Sequence, residues 1–448
     1  MIRVMSNPRA WLPRWRLSTG GGVVAPDERL SSAQTLALGL RHVVAMFGAT
    51  VLAPLLMGFD PNVAILFSGV GTAIFFVAVG GRVPSYLGSS FSFISVVIAA
   101  TGYSGRGENP HLGVALGGIV AAGMVYALIG VAVMRSGYRW IERLMPPVVT
   151  GAVVAVIGLN LAPIGVKGIS GNAVDTWIGI ATILVVGLVV VRAPGLARRL
   201  PILLGGIAGY LLYAVVANGL GLATPIDFTP VARAPWIGLP ALTTPVWDVR
   251  AVTLIAPVAI VLVAENLGHV KAVAAMTGRN LDPYLGRAFI GDGIATMVAG
   301  AGGGTGVTTY AENIGVMAVT KIYSTLIFLV AAVAAIVLGF SPKFGALIMT
   351  IPGPVLGGLS IVVFGLITAT GGRIWVENRV DFSRARNLVT VAVAVTVGAG
   401  DLALRFGDFT LGGIGTATFG AIVLYQLLRD DTPDRDSDHT GVTQRADL

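Results

Sequence analysis

Apolar runs close to twenty residues long recur along almost the whole chain of 448 residues. A helix needs about 20 mainly apolar residues to cross the hydrocarbon core of a bilayer, so these runs predict an all-α polytopic membrane protein. Only 12% of the residues are charged, against about 25% in soluble domains, which disfavours a soluble protein with buried helices. The chain has no cysteine, and its four histidines lack an HExxH spacing. We therefore expect no metal site and no cofactor.

We predict fourteen spans, of which the third and the tenth are too short to cross as complete helices. They lie near residues 33–57, 62–80, 88–101, 112–134, 145–163, 174–192, 199–219, 251–272, 286–302, 308–320, 322–340, 345–368, 387–400 and 411–428. With a cytoplasmic N-terminus, the inside loops carry fifteen Arg and Lys residues and the outside loops six. Both termini are therefore predicted to be cytoplasmic. The same asymmetry explains the net charge of +8 without a nucleic-acid partner.

The two halves of the chain resemble each other. "FSGVGTAIFFVAVGG" (67–81) aligns with "FIGDGIATMVAGAGG" (289–303), and "PVVTGAVVAVIGL" (147–159) aligns with "PVLGGLSIVVFGL" (354–366). The repeat unit then contains seven spans, an odd number, so the second copy is predicted to be inverted in the membrane, as in many secondary transporters. The first alignment places Ser90 opposite Glu312, which makes the two short spans equivalent.

Both short spans begin with sequence typical of extended backbone, at 90–93 and 307–310. Extended backbone at membrane depth must have its N–H and C=O groups paired inside the protein. We therefore predict that the two segments pair as a short antiparallel β-ribbon in the broken spans 3 and 10. Each strand would lead into a half-helix whose positive N-terminal end points at the centre of the protein, an arrangement typical of substrate sites in transporters.

Ionisable residues inside the predicted spans are rare, and each is a candidate for function. Glu265 and His269 stand four residues apart on one helix face, where a carboxylate and an imidazole can share a proton. A purely structural pair is the alternative. Glu312 starts the second half-helix and is predicted to be a ligand acceptor, a helix cap or both. Asp292 is assigned either to a proton relay or to a hydrogen bond between helices.

Four further residues complete the candidate site. Asn313 shares the two alternatives given for Glu312, and His42 is predicted to hold helices together inside the bundle. Phe91, in the symmetry-related strand, is predicted to stack on a ligand ring, with Tyr310 a second candidate for that role. Two carboxylates, an aromatic ring and backbone N–H groups suit a flat, neutral heterocycle with N–H donors, and they disfavour a small anion.

These motifs resemble those of the nucleobase–ascorbate transporter family (nucleobase:cation symporter 2), and within it those of the uracil permeases. The signature [Q/E/P]-N-x-G-x4-T-[R/K/G] is met by Glu312-Asn313-Ile314-Gly315 followed by Thr320-Lys321. The segments "AMFGATVLAPLL" (45–56), "PSYLGSSFSFIS" (84–95) and "AENLGH" (264–269) are similar to the same branch.

The resemblance implies a proton-coupled uracil symporter of the cytoplasmic membrane that works as a homodimer by an elevator-type motion. It implies a core domain of spans 1–4 and 8–11 and a gate domain of spans 5–7 and 12–14. The predicted boundaries are an N-terminal tail (1–32), a first core segment (33–135), a first gate segment (136–220), an extracytoplasmic loop (221–250), a second core segment (251–341), a second gate segment (342–428) and a C-terminal tail (429–448).

The resemblance also assigns roles to individual residues. It implies that the pyrimidine edge is bound by Glu265 and Glu312, that the ring stacks on Phe91, that Ala49 lines the pocket, that His269 assists proton coupling, and that backbone of Tyr310 and Ala311 completes the site. The chain departs from the family at Arg41, where Gln commonly precedes the histidine, and at Ala311, where some uracil permeases have Gly.

Other functions are weighed against these residues. A purine (xanthine) or broad-specificity carrier is the alternative within the class, and a Glu at the first signature position favours uracil. An anion exchanger of the same inverted architecture should carry a cation or small neutral residues in place of Glu265 and Glu312. An enzyme would need a nucleophile–base pair, a phosphate-binding loop or a metal cluster, and the sequence shows none of these.

Overall fold

The computed structural model describes residues 11–18, 22–103, 105, 107–195, 197–407 and 409–428. The predicted C-terminal tail and the first ten residues of the N-terminal tail lie outside these described residues. The helices are α1 (Ser32–Met57), α2 (Pro61–Ala78), α3 (Ile94–Thr101), α4 (Leu112–Ser136), α5 (Arg139–Leu144), α6 (Pro147–Ile169), α7 (Ala173–Arg192), α8 (Pro201–Ala214), α9 (Thr229–Arg233), α10 (Val249–Ile255), α11 (Val258–Thr277), α12 (Leu285–Ala301), α13 (Ala311–Thr320), α14 (Thr325–Gly339), α15 (Pro342–Met349), α16 (Gly353–Glu377), α17 (Ala385–Ala399) and α18 (Gly413–Leu427). The strands are β1 (Arg16–Leu17), β2 (Glu28–Arg29), β3 (Leu87–Ser89), β4 (Val307–Thr309), β5 (Leu404–Phe406) and β6 (Phe409–Leu411).

Eight helical segments of the described chain are long and apolar enough to cross a membrane. They are α1, α2, α4, α6, α7, α8 with its continuation to Gly219, α10 with α11, and α16. The pair α14–α15 gives a ninth if the two helices, bent by 81°, form one span. Each of the fourteen predicted intervals contains a helix, and the count of fourteen crossings stays a prediction.

The boundary predicted for the twelfth span, 345–368, is wrong. The chain forms two separate helices there, because α15 ends at Met349 and α16 begins at Gly353. Pro352 lacks an N–H group and disfavours helical backbone at the residue before it, so an apolar run that looks continuous is divided. Pro354 then lies in the first turn of α16, where proline is tolerated.

The long helices pack in two groups, and the same pairings recur in the two halves of the chain. In the first group α4 packs on α12, and α2 packs on α14. In the second group α6 packs on α16 and α17, and α7 packs on α16 and α8. Replacing each helix by the one seven predicted spans away converts α4–α12 into α14–α2, and α6–α17 into α16–α7. These pairings support the predicted repeat, whose inverted orientation stays a prediction.

Small residues allow the paired helices to approach closely. A Cβ atom on Gly123 of α4 would lie 2.7 Å from the carbonyl oxygen of Gly293 on α12. In the second group, a Cβ on Gly158 of α6 would overlap the carbonyl oxygen of Phe364 on α16. Helix association inside a membrane depends on such close packing, because lipid provides no hydrophobic driving force between helices.

Strands β3 and β4 pair as a buried antiparallel ribbon. The register joins Leu87 with Thr309, Gly88 with Thr308, and Ser89 with Val307. The outer edges are also satisfied, because the hydroxyl of Thr72 on α2 accepts from Leu87 N at 2.9 Å and that of Thr296 on α12 donates to Val307 O at 3.1 Å. The extended backbone therefore has the internal partners that a membrane-embedded strand requires.

Of the extended backbone predicted for residues 90–93, only Ser90 is extended, and the prediction is wrong for 91–93, because the first strand begins three residues earlier. Phe91–Phe93 forms a 3₁₀ turn that leads directly into α3. The turn begins at Ser90, whose hydroxyl accepts a hydrogen bond from Ser92 N at 3.3 Å. This local capping bond competes with extended pairing and ends the strand at Ser89.

Candidate functional site

The ribbon leads into two short helices that start from neighbouring positions. Beyond the paired strands, Ser90 N donates to Gly306 O at 2.9 Å, and Tyr310 N donates to Tyr86 O at 3.0 Å. One strand then continues into the 3₁₀ turn and α3, and the other continues into α13. The exposed N–H groups and the positive dipole at a helix start favour ligand acceptor groups.

Tyr310 fixes the start of α13. Its hydroxyl donates to Ser89 O at 2.9 Å and accepts from Thr50 Oγ1 at 3.2 Å. Its ring lies over Gly88, where a Cβ atom would overlap a ring carbon. Tyr310 is 3% exposed, so its side chain is enclosed against the ribbon, and its backbone forms the N-cap of α13.

In the first turn of α13, Ala311 and Glu312 are exposed, whereas Asn313 beside them is completely buried. Tyr310 is the N-cap residue of α13 and Glu312 is the second residue of the helix. Glu312 is therefore not the N-cap residue, but its carboxylate interacts with its own backbone N–H in the first turn, as the capping alternative expected.

Glu265 and His269 lie on one face of α11, with Gly268 exposed between them. His269 Nδ1 lies 2.8 Å from Thr309 Oγ1, which connects α11 to strand β4. The carboxylates of Glu265 and Glu312 are close enough to interact electrostatically. Within the described residues, the buried Glu265 Oε2 has no hydrogen-bond partner.

Phe91 and Ala49 lie on two other elements, the 3₁₀ turn before α3 and helix α1. Phe91 is partly buried and meets Phe364 of α16 edge-on, with ring centroids 6.2 Å apart. Its ring therefore stands where the first group of helices meets the second. Ala49 is 4% exposed on α1, directly before the Thr50 that bonds Tyr310.

His42 and Asn313 form a buried contact behind α13. Asn313 Nδ2 lies 2.9 Å from His42 Nδ1 and donates to His42 O at 3.1 Å. The imidazole also packs against Phe328 of α14, with ring centroids 4.7 Å apart. The pair joins α1, α13 and α14, which suits a supporting role.

Asp292 is fully buried in a polar cluster between α4, α11 and α12. Its Oδ2 accepts from Asn266 Nδ2 at 2.6 Å and from Tyr126 OH at 3.2 Å. Asn266 directly follows Glu265 on α11, so the cluster lies behind the helix that carries the carboxylate. Asp292 therefore makes the helix–helix hydrogen bonds that were one of its two predicted roles.

Sequence reasoning missed several partners of these residues. They are Tyr126, Asn266, Thr309 and Phe364. Asn266 stands beside Glu265 in "AENLGH", and Tyr126 is the one tyrosine of α4, so a polar side chain in an apolar helix was the available signal for both. Among the described residues, no group of three His, Cys, Asp or Glu side chains is placed to hold a metal ion.

Comparison with known proteins defines the class to which this fold and site belong. The family model described as Permease family (Xan_ur_permease) matches residues 33–405. The chain therefore belongs to this family of membrane transporters, the nucleobase–ascorbate transporters, and to its uracil permease branch. It is a transporter and not an enzyme. The resemblance read from the motifs is confirmed.

Curated relatives match the chain along nearly its full length. The putative pyrimidine permease RutG of Escherichia coli (strain K12) is 65% identical over 419 residues, which is 93% of this chain and 95% of that protein. The uracil permease of Paenibacillus larvae is 41% identical, covering 90% of this chain and 96% of that protein. The uracil permease of E. coli K12 is 37% identical, covering 94% and 99%.

Solved structures share the fold at low sequence identity. The transmembrane domain of the cyanobacterial bicarbonate transporter BicA aligns with a TM-score of 0.61 at 17% identity, covering 88% of this chain and 96% of that chain. Murine Slc26a9, an anion transporter, aligns with a TM-score of 0.64 at 12% identity, covering 93% and 69%. At these identities the likeness shows the fold alone.

Proposed function

We propose that this chain is a proton-coupled symporter that imports uracil across the cytoplasmic membrane. Three relatives that are 37% to 65% identical are named as uracil or pyrimidine permeases. The site chemistry supports the same substrate class. The proposed substrate-binding residues are Glu265, Glu312, Phe91, Ala49 and the backbone of Tyr310 and Ala311.

The observation that carries the proposal is the pair of carboxylates beside the start of α13. Uracil presents N–H donors and C=O acceptors along its edges, and carboxylates accept hydrogen bonds from N–H donors. The unpartnered Oε2 of Glu265 is such an acceptor, and a buried acceptor without a partner is costly until a ligand satisfies it. The partly exposed ring of Phe91 offers a surface on which a flat heterocycle stacks.

The same residues support proton coupling. Glu265 and His269 lie one turn apart on α11, and Glu312 interacts electrostatically with Glu265. A proton shared among Glu265, His269 and Glu312 removes the repulsion between the two carboxylates. Protonation and the binding of a neutral substrate therefore favour each other. Asp292 lies behind Glu265 and is the candidate for a relay from the site.

We further propose an elevator-type motion of one helix group against the other within a homodimer, with both termini cytoplasmic. The moving core comprises residues 33–135 and 251–341, and the gate comprises 136–220 and 342–428. The short helices α5 and α15 join the core to the gate. Phe91 and Phe364 meet at their boundary, so a substrate stacked on Phe91 would lie between core and gate.

Anion exchange is the second function to consider, because the fold is shared with BicA and Slc26a9, which are described as bicarbonate and anion transporters. The Glu265–Glu312 pair argues against it in this chain. Two neighbouring carboxylates repel a small anion.

Uptake of labelled uracil into proteoliposomes tests the proposal. We expect accumulation with an inward proton gradient, a marked decrease when the gradient is collapsed, and competition by unlabelled uracil that exceeds competition by xanthine. Gradient-independent equilibration would overturn the coupling. Stronger competition by xanthine would show the purine-type alternative, and bicarbonate or sulfate uptake without uracil uptake would show the anion exchanger.

A further inference from the structure

The N-terminal segment before α1 lies across the ends of several helices of the first group. We call residues 11–18 and 22–31 the N-terminal strap. Near its start, Trp11 Nε1 donates to Val77 O at 2.9 Å, and the Trp15 ring stacks on Phe76 with centroids 6.0 Å apart. A Cβ on Gly80 would lie 2.6 Å from Trp11 O. The strap is thus seated on the end of α2.

The strap also contacts the connection between α11 and α12. The Asp27 carboxylate forms an ion pair with Arg279, two residues after α11 ends. The guanidinium of Arg287, in the first turn of α12, lies 4.7 Å from the ring centre of Trp11. Each contact fixes a different point of the strap to the same side of the helix group.

The densest contacts join the strap to the connection between α13 and α14. Val24 N donates to Lys321 O at 3.0 Å, and Tyr323 N donates to Val24 O at 2.8 Å. Two residues further along each segment, both the backbone N and the hydroxyl of Thr325 donate to Pro26 O at 3.1 Å. Val24 is 3% exposed, so these bonds are shielded from water.

The backbone conformation of Lys321, in the connection between α13 and α14, depends on the contacts that surround it. Lys321 is the C-cap of α13 and has a φ of 54°, in the left-handed region that non-glycine residues rarely adopt. Such backbone persists when surrounding contacts hold it. The bond from Val24 to the Lys321 carbonyl is one of those contacts.

We propose that the N-terminal strap is a positioning element for the substrate site, because it fixes the far end of the half-helix that carries Glu312. Helix α13 has ten residues, about 15 Å in length. Its first end is held by the ribbon and by Asn313 on His42, and its last end is held by Val24. A helix this short moves as one body, so release of Lys321 tilts Glu312 relative to Glu265. The proposal rests on the proposed role of Glu312 in binding.

A proline substitution tests this with a matched control one residue away. Val24→Pro removes the N–H that bonds Lys321 O, whereas Val23→Pro introduces the same ring at a residue that is 58% exposed. We expect Val24→Pro to raise KM for uracil about five- to tenfold, which lies within the range for loss of one backbone hydrogen bond, with kcat changed far less. Val23→Pro should stay within about twofold of the parent protein.

Hydrogen–deuterium exchange without substrate gives a second measurement that does not depend on transport. Val24→Pro should speed exchange in peptides covering 316–325, and Val23→Pro should not. Equal KM values for the two variants, or a loss of folded protein with KM unchanged, would overturn the positioning role. If the parent protein takes up no uracil, the proposed function fails separately, and equal exchange in the two variants would still overturn the strap.

Discussion

At the scale of single residues, the carboxylates of Glu265 and Glu312 are the groups proposed to bind uracil. Glu265→Gln and Glu312→Gln keep the side-chain shape but replace an acceptor oxygen by an NH₂ donor that faces the N–H groups of the substrate. A hydrogen bond to a charged group contributes about 1.5–3 kcal/mol. Each variant should therefore bind uracil about ten- to a hundredfold more weakly, as measured by calorimetry on purified protein.

The matched control for both variants is Glu377→Gln. Glu377 is an exposed carboxylate paired with Arg373 at 2.9 Å on α16, so its change should leave uracil affinity unaltered. Parent-like binding by both site variants would show that the carboxylates do not contact the substrate.

His269 has a different expected effect, because it contacts the ribbon through Thr309 as well as lying one turn from Glu265. His269→Ala should make uracil uptake far less dependent on the inward proton gradient, while uracil affinity changes by less than about threefold. Thr309→Val removes the hydroxyl partner and keeps the imidazole. An unchanged gradient dependence in His269→Ala would exclude the histidine from coupling.

At the scale of elements, the ribbon depends on Gly88. A methyl group there would overlap the Tyr310 ring, and overpacking of a buried site costs about 1–3 kcal/mol. Gly88→Ala should therefore lower the melting temperature of the purified protein and weaken uracil binding through displacement of the start of α13. Gly315→Ala is the control, because a Cβ there meets no atom within 4 Å. Equal melting temperatures for the Gly88→Ala and Gly315→Ala proteins would show that the Tyr310 ring moves aside without a cost in stability.

The ribbon also shows how far sequence reasoning extends. The internal repeat and the short length of spans 3 and 10 predicted two paired extended segments, and strands β3 and β4 lie at the start of those spans. The exact strand was missed because the alternation in 90–93 resembles a strand, while the competing Ser90–Ser92 capping bond is local and specific. The break after α15 was missed because the apolar residues on both sides were taken as one run, although Pro352-Gly353-Pro354 is a helix-breaking signal.

The candidate site was predictable to a similar extent. Three candidates were identifiable from the sequence, because a charged side chain inside an apolar span is costly and is therefore a candidate for function. They are Glu265, Glu312 and Asp292. Their partners were not identifiable, because side chains such as Tyr126 and Phe364 are ordinary in an apolar helix until the fold brings them to a particular neighbour. Pairing across more than a hundred residues is a property of the tertiary structure, which no local pattern contains.

At the scale of the whole molecule, the proposed elevator motion requires the two helix groups to move relative to each other. The chain contains no cysteine, so introduced pairs can be crosslinked without background. A Cβ on Gly48 of α1 would lie 2.9 Å from the Cβ of Ile202 on α8, across the two groups. A Cβ on Gly39 of α1 would lie 2.8 Å from the Cβ of Val330 on α14, inside the first group.

The two cysteine pairs therefore differ in what they join and hardly in geometry. Both need a relaxation of about 1 Å to reach the usual Cβ separation of a disulfide. Oxidation of Gly48→Cys/Ile202→Cys should arrest uracil uptake in proteoliposomes, with recovery on reduction, because the core is then tied to the gate. Oxidation of Gly39→Cys/Val330→Cys should leave uptake near the level measured under reducing conditions. Full uptake in the crosslinked Gly48→Cys/Ile202→Cys protein would rule out motion of the groups at this contact, and arrest in both would place the essential motion inside the first group.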